Sequence, residues 1–408
     1  MKSQKSCGSY ILITPFFPTE GSFRGSYIYD QAVAIRRAGL YDKVLIYKPK
    51  SIFDRRKTYI YGGFTVRLFP HIQMPSYILN GLLNKFNGFL FTQTVRKSGV
   101  AIDSVRVAHA HVSTFAACGL ALKKYNHKIK VLVQHHDRDP FTIRNGKWAN
   151  KRWNARFRAK RNISLFNAVD CHVSISEVVE DNLLSFPQPG RYEHYAPYLR
   201  VLEKVKELPS ISPKHSIILN NGVDLSKFHP IPQNHKGFVI GCIGNFVELK
   251  DQITLIKAVE LLVKARKQTD IQLLLIGTGP LLSSCQQYVV EHSLYANIAF
   301  KPEVEHGKLP RFYHSLDLFV LTSCYEGFGC VFTEAYACGV PFITCRHQGA
   351  AECICDQEAD KWLIDEHDFV KLSELIMKYR ENRYEQHLCK EYDIDKLIPE
   401  FLRYIETL

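Results

Sequence analysis

The stretch LFVLTSCYEGFGCVFTEAYACGVPFITCRHQGAAECI, residues 318–354, decides how the rest of the chain is read. It opens as an apolar strand, LFVLT, and breaks at Ser323. A glycine-bearing turn follows through Glu326, Gly327, Phe328 and Gly329, and then a helical run from Val331 to Cys338. Gly339 and Pro341 stop that helix, and the run FIT starts another strand. Strand, turn, helix and strand in that order build a parallel α/β sheet.

Chemistry in such a unit sits where strand gives way to helix. The first N–H groups of a helix lack an intrahelical partner and carry the positive end of its dipole, so they attract phosphate. Gly327 and Gly329 let the backbone come close to a ligand. Glu326 lies at the turn and Glu334 inside the helix, with seven residues between them. A carboxylate accepts several hydrogen bonds and suits the vicinal hydroxyls of a sugar. The plainer reading is that acids are simply favoured near a helix N-terminus.

The surrounding residues favour the chemical reading. EGFG, then EA, CG-VP, a strand and GA-E together resemble the signature of the retaining GT-B glycosyltransferases, the group 1 family, family four. Further motifs follow in the family's order over about residues 11–355. AVDCHVSISEVVEDNLL resembles its A-D-x-x-x-x-S element, and SIILNNGVDLSKFHP its N-G-V-D…F-x-P junction. The resemblance implies an α/β fold of two doubly wound, Rossmann-like parallel-sheet domains facing each other across a cleft. The expected division is 1–228 for the acceptor side and 236–385 for the nucleotide sugar, with 386–408 a C-terminal helix packing back on the first domain.

The same resemblance implies roles. Glu326 orients the donor sugar, Glu334 holds the ribose, and Lys250 with the helix start at Phe328, Gly329 and Cys330 stabilises the leaving diphosphate. Gly244 and Asn245 line the first loop of the second domain, and Gly279 and Val304 the base side. The family usually has an arginine where this chain has Asn245, which removes one cation from the diphosphate site; Arg24 is a candidate replacement. Asp251 replaces a usual glycine. In the first domain the loop with Gly21, Arg24 and Gly25 is the acceptor side, although its spacing is not that of a dinucleotide loop. Of the two histidines ending VLVQHH, His136 matches the one that faces the donor sugar.

No metal is expected. His109, His111, His135 and His136 lie near two strand ends but lack a recognised ligand spacing. The D-x-D at Asp137–Asp139 matches a different glycosyltransferase fold only by accident. The family lets the helix dipole and basic side chains do a metal's electrostatic work. No cofactor is expected either, the nucleoside-diphosphate sugar, UDP- or GDP-linked, being a substrate.

Composition limits the remaining choices. The chain has 408 residues, 46% of them hydrophobic and 23% charged, enough for two or three domains with sizeable cores. No apolar run reaches the roughly 18 residues of a membrane-spanning helix. The N-terminal YILIT reads as a buried strand rather than a signal peptide. Most of the twelve cysteines sit in apolar elements, and no C-x2-C occurs, so a reducing cytosol is expected.

The net charge of +13 concentrates in residues 138–161, where nine basic residues stand against Asp139, with Trp148, Trp153 and Phe157 between them. Without a nucleic-acid fold motif, that pattern points to an anionic membrane surface, with a solvated helix face as the plain alternative. Tyr77, Ile78, Leu82, Phe86, Phe89 and Leu90 fall at helical spacing and are expected to pack in the core, with an interfacial face as the rival. These features suggest a lipid-linked glycan acceptor in cell-surface polysaccharide synthesis, at the inner face of the cell membrane. The rival functions are a nucleotide-sugar 2-epimerase of the same fold and a catalytically degenerate sugar-nucleotide-binding protein.

Overall fold

The computed structural model describes residues 8–72, 81–136, 153–232 and 237–408. The chain forms two compact units, residues 1–221 with 394–408, and Gly222–Asp393. The first unit therefore ends before the expected 228, and its returning segment starts later than 386. Both shifts have one local cause: the Val223 N–H donates to the Tyr392 carbonyl at 2.7 Å, which ties the junction motif and the stretch before the last helix into unit 2.

Unit 1 is built on a sheet with strands β1 (Ser9–Ile13), β2 (Lys43–Lys50), β3 (Tyr59–Tyr61), β4 (Phe64–Pro70), β5 (Val105–His111), β6 (Lys130–His135), β7 (Cys171–Ser174) and β8 (Ser216–Ile218). Their spatial order is β3-β4-β2-β1-β5-β6-β7-β8, parallel except for the β3–β4 pair. β1, SYILI, is buried along its whole length, as a parallel strand covered on both faces must be. Ile11 and Ile13 enter one core with Phe69, Phe91, Phe166 and Val201. Tyr10 and Leu12 enter the other, under the helix Ser26–Arg37 and the C-terminal helix Ile394–Thr407. The last helix contributes Ile394, Ile398, Phe401, Leu402 and Ile405, a 3.6-residue stripe. Lys130 Nζ caps its end by donating to the Ile405 carbonyl at 2.7 Å.

Unit 2 carries β9 (Phe238–Ile243), β10 (Ile271–Ile276), β11 (Ile298–Lys301), β12 (Leu318–Leu321), β13 (Phe342–Cys345) and β14 (Leu363–Ile364). All pair in parallel, in the order β11-β10-β9-β12-β13-β14. Counted within the unit this is 3-2-1-4-5-6, the doubly wound order, whose direction reverses between β9 and β12. Ligands of such sheets bind beyond the C-terminal ends of the strands at that reversal. Here those ends run into the turns carrying Lys250 and Glu326.

The expected core packing of the 82–90 stretch is overturned. On the helix Asn84–Lys97 the buried face is Asn87, Gly88, Phe91, Thr92 and Val95, and Leu82, Phe86 and Phe89 stand exposed. The sequence carries two apolar stripes there, and Gly88 decides between them. A Cβ at Gly88 would meet Ala121 Cβ at 2.8 Å, so its face alone fits against the next helix. Tyr77 and Ile78, the Asp137–Asp139 motif and residues 138–152 of the basic run lie outside the described residues.

Candidate active site in unit 2

Two strand-to-helix turns meet at the reversal point. The first leaves β9 through Gly244 and Asn245, makes a 3-10 turn at Glu248–Lys250, and enters the helix Gln252–Glu260. The second leaves β12 through Ser323 and enters the helix Cys330–Ala337. The Cys324 N–H donates to the Leu249 carbonyl at 2.9 Å, which sews the turns together. The ammonium of Lys250 is ion-paired with Glu326 Oε1. Ser323 Oγ donates to that same oxygen at 3.1 Å, and the Gly349 N–H to the Glu326 carbonyl at 2.9 Å. Both charged side chains are mostly covered, so their pairing is screened less than a surface contact.

A third turn, after β10, closes on the first. A Cβ at Gly277 would lie 2.1 Å from the Gly244 carbonyl oxygen, and one at Gly279 would lie 2.5 Å from that of Phe246. Both glycines also take positive φ, 146° and 149°, so no other residue fits. Thr278 Oγ1 donates to Glu303 at 2.8 Å, and the half-buried Val304 follows on the same loop. The Asn245 side chain is exposed; its carbonyl accepts from the Val247 N–H at 2.9 Å and from Gln252 Nε2 at 3.0 Å.

The helix start at 328–330 offers backbone rather than side chains. Phe328 is buried with its ring 5.5 Å from that of Tyr392, and Gly329 caps the helix at φ 79° without a side-chain cap. Glu334 is buried one turn into the helix. It accepts from the Tyr313 hydroxyl at 2.9 Å and from His306 Nε2–H at 3.0 Å, and burial together with the carboxylate pushes the Tyr313 phenol well up. A carboxylate has about four acceptor sites, so these two bonds fix its direction and leave capacity for hydroxyls.

Unit 1 holds the remaining expected residues. Its own sheet order reverses between β1 and β5. β1 runs into the loop with Gly21, Arg24 and Gly25; the Arg24 guanidinium lies over the Phe16 ring at 4.1 Å, and Gly25 begins the next helix. His136 is half-buried just past the end of β6, stacked on His111 and 3.1 Å from its Nδ1, with the Tyr27 ring edge-on at 5.2 Å. His135 points instead into the core, its Nε2 bonded to His172 Nδ1 at 2.9 Å. Burial holds His109 and His172 down at about 3 and also drives His111 well below the usual histidine range, so all three are neutral imidazoles.

Residues 226–395 match the family described as "Glycosyl transferases group 1", a range that takes in nearly all of unit 2. Unit 2 is a group 1 glycosyl transferase domain. Similar proteins include a GDP-mannose-dependent monoacylated alpha-(1-6)-phosphatidylinositol monomannoside mannosyltransferase of Corynebacterium glutamicum, 31% identical over 39% of this chain and 45% of that protein. The capsular polysaccharide biosynthesis glycosyltransferase CapM of Staphylococcus aureus is 30% identical over 39% of this chain and 40% of its own length. The chain thus covers less than half of either relative. Among solved structures, Anabaena HepE in complex with UDP and glucose superposes with a TM-score of 0.65 at 14% identity, over 98% of this chain and all of that one. Sucrose-phosphate synthase from Thermosynechococcus elongatus gives 0.62 at 17%, over 98% and 94%. The fold is GT-B, two Rossmann-like α/β domains.

The group 1 glycosyl transferase domain also contains groups that motif reading passes over. Ser323, Gln252, Tyr313 and His306 position the expected residues yet carry no signature spacing. Asp251, where the family usually has a glycine, is buried at φ 44° and accepts from Thr254 Oγ1 at 2.7 Å and from His367 Nδ1 at 2.8 Å. His367 is 116 residues further along, so no local pattern announces the contact.

Proposed function

We propose that the chain is a retaining glycosyltransferase that moves a hexosyl unit from a nucleoside-diphosphate sugar to an acceptor hydroxyl. The observation that carries this is the Lys250–Glu326 pair at the reversal point of a group 1 glycosyl transferase domain. A bound diphosphate would compete for the lysine and release Glu326 towards the sugar, so donor binding itself sets the carboxylate free. Lys250 and the N–H groups at the start of the 330–337 helix would then neutralise the leaving diphosphate without a divalent ion between them.

Retention follows from same-face attack through a short-lived oxocarbenium-like ion pair, the leaving diphosphate taking the acceptor's proton. Glu334, aimed by Tyr313 and His306, accepts from ribose hydroxyls. In unit 1, His136 offers an imidazole to a sugar hydroxyl. The acceptor in this reading is a lipid-linked glycan at a membrane surface. Support comes from the exposed Leu82, Phe86 and Phe89 and from Asn84, which donates to Asn162 at 2.9 Å and so sets this apolar face beside exposed Lys160 and Arg161. The relative of Corynebacterium acts on a phosphatidylinositol mannoside and that of Staphylococcus in capsule synthesis, which agrees with such an acceptor.

The test is a thermal-shift panel of UDP- and GDP-sugars on the wild-type chain and on Lys250→Met, with and without added Mg2+. A ligand that binds the folded state raises Tm by mass action. One nucleotide series should stabilise the wild type regardless of Mg2+, with the shift reduced in the variant. No shift with any sugar nucleotide, or an equal shift in Lys250→Met, would overturn the reading.

A further inference from the structure

Beside the Lys250–Glu326 pair, three chain segments meet that the transfer reaction does not use. Asp251 begins the 252–260 helix, Cys324 follows Ser323 in the second turn, and His367 lies in the turn after β14. The His367 ring bridges the other two. Its Nδ1 is 2.8 Å from Asp251 Oδ2, and its Nε2 is 4.0 Å from Cys324 Sγ. One donor atom from each residue falls within 4.8 Å of the others.

We propose that Asp251, Cys324 and His367 form a binding site for a zinc-type divalent cation. The spacing is right for one ion. A zinc–sulfur bond of about 2.3 Å and a zinc–nitrogen bond of about 2.0 Å add up to more than the gap between Sγ and Nε2, so a single ion reaches both at a bent angle. An ion on Nε2 leaves Nδ1–H on the Asp251 carboxylate, the arrangement that fixes tautomer and ring direction in histidine metal sites. Asp251 is itself held by Thr254, and its backbone carbonyl accepts from Thr322 Oγ1 at 2.7 Å.

The donor set selects the metal. Thiolate and imidazole suit zinc and its neighbours, whereas magnesium and calcium prefer all-oxygen cages. The electrostatics point the same way. Burial, and then the nearby Glu366, Asp251 and Glu248, push the Cys324 thiol up to about 12, which makes it inert as a free nucleophile. That same acidic surround attracts a cation, and a bound cation deprotonates a coordinating thiol outright. The binding step is balanced: Cys–SH and M2+ give Cys–S–M+ and one proton, which leaves to solvent. Cys324 and Asp251 are buried, but the His367 side chain is two-thirds exposed and gives the ion a route in. Because Asp251 adjoins Lys250 and Cys324 lies two residues before Glu326, the ion would tie the two turns together.

Cobalt(II) added alone to the full, metal-stripped chain reports on this directly, because a cobalt–thiolate bond absorbs in the near ultraviolet. One equivalent should give that band, and Zn2+ should abolish it by displacement. Cys324→Ser should lose the band; His367→Gln, which keeps an amide donor for Asp251, should weaken cobalt affinity by at least about tenfold, with the far-ultraviolet spectrum checking that the variant is folded. Cys389→Ser, which removes an exposed thiol elsewhere in unit 2, should change nothing. The proposal is overturned by the absence of a band in the wild type, by a band that survives Cys324→Ser, or by one whose affinity ignores His367→Gln. No sugar nucleotide enters the measurement, so its outcome is independent of the transferase reading.

Discussion

The two units solve the same architectural problem with opposite materials. Unit 2 is one uninterrupted segment whose turns gather charge, with Lys250 against Glu326, Asp251 against His367 and Glu334 under two donors. Unit 1 draws on two separate segments, and burial keeps three histidines within its strands neutral: His109, His111 and His172. Parallel sheets with the same reversal of strand order can thus carry ion pairs in the turns beyond the strands or neutral imidazoles within them.

The hardest test of the contrast is truncation after Asp393. Five buried apolar side chains leave with the last helix, each worth about 1.5–3 kcal/mol, a sum comparable to the whole stability of a domain. Hydrogen exchange should then show unit 1 unprotected and unit 2 intact. Equal loss in both units would mean that they fold as one.

Acid should separate the units next. A histidine whose folded-state pKa is depressed stabilises the fold at pH above its unfolded value near 6.5, and that contribution is lost as pH falls towards the folded value. For His109 and His172 the window runs from about 6.5 down to about 3, at about 1.4 kcal/mol per pH unit for each ring. Exchange protection should therefore fall first in unit 1 on acidification, and His172→Asn should flatten the slope. Simultaneous loss in unit 2 would break the contrast.

A smaller effect is expected inside unit 2. Tyr313→Phe removes one of the two donors on Glu334 and leaves a buried carboxylate oxygen short of a partner, at a cost of about 1–3 kcal/mol. Urea unfolding followed on unit 2 should register it, together with weaker sugar-nucleotide binding. Smallest of all is Arg37→Ala, which deletes the ion pair to Asp395 between the first and last helices of unit 1. Both partners are over two-fifths exposed, so less than about 1 kcal/mol is expected in the melt.

The same contrast explains what could be read in advance. Unit 2 was legible because strand, glycine turn and helix lie within 37 consecutive residues, 318–354, and their chemistry is local. The direction of Glu334 was not, because Tyr313 and His306 reach it from a preceding element. The pairing of Asp251 with His367 was hidden by the length of chain between them. In unit 1 the apolar period of 82–90 was visible, but its facing was not, since two stripes compete and the close approach at Gly88 is a tertiary fact. Residue spacing shows which elements exist; it does not show which neighbour arrives from far along the chain.

The returning helix has a consequence for how the protein is made. Unit 2 occupies residues 222–393, so 172 residues (393 − 222 + 1) are translated between most of unit 1 and the helix that completes it. At 5–20 residues per second the nascent sheet waits roughly ten to thirty seconds with one apolar face only partly covered, by the helix Ser26–Arg37. During that interval the apolar face over Tyr10, Leu12 and Leu132 lacks the cover that residues 394–408 later supply.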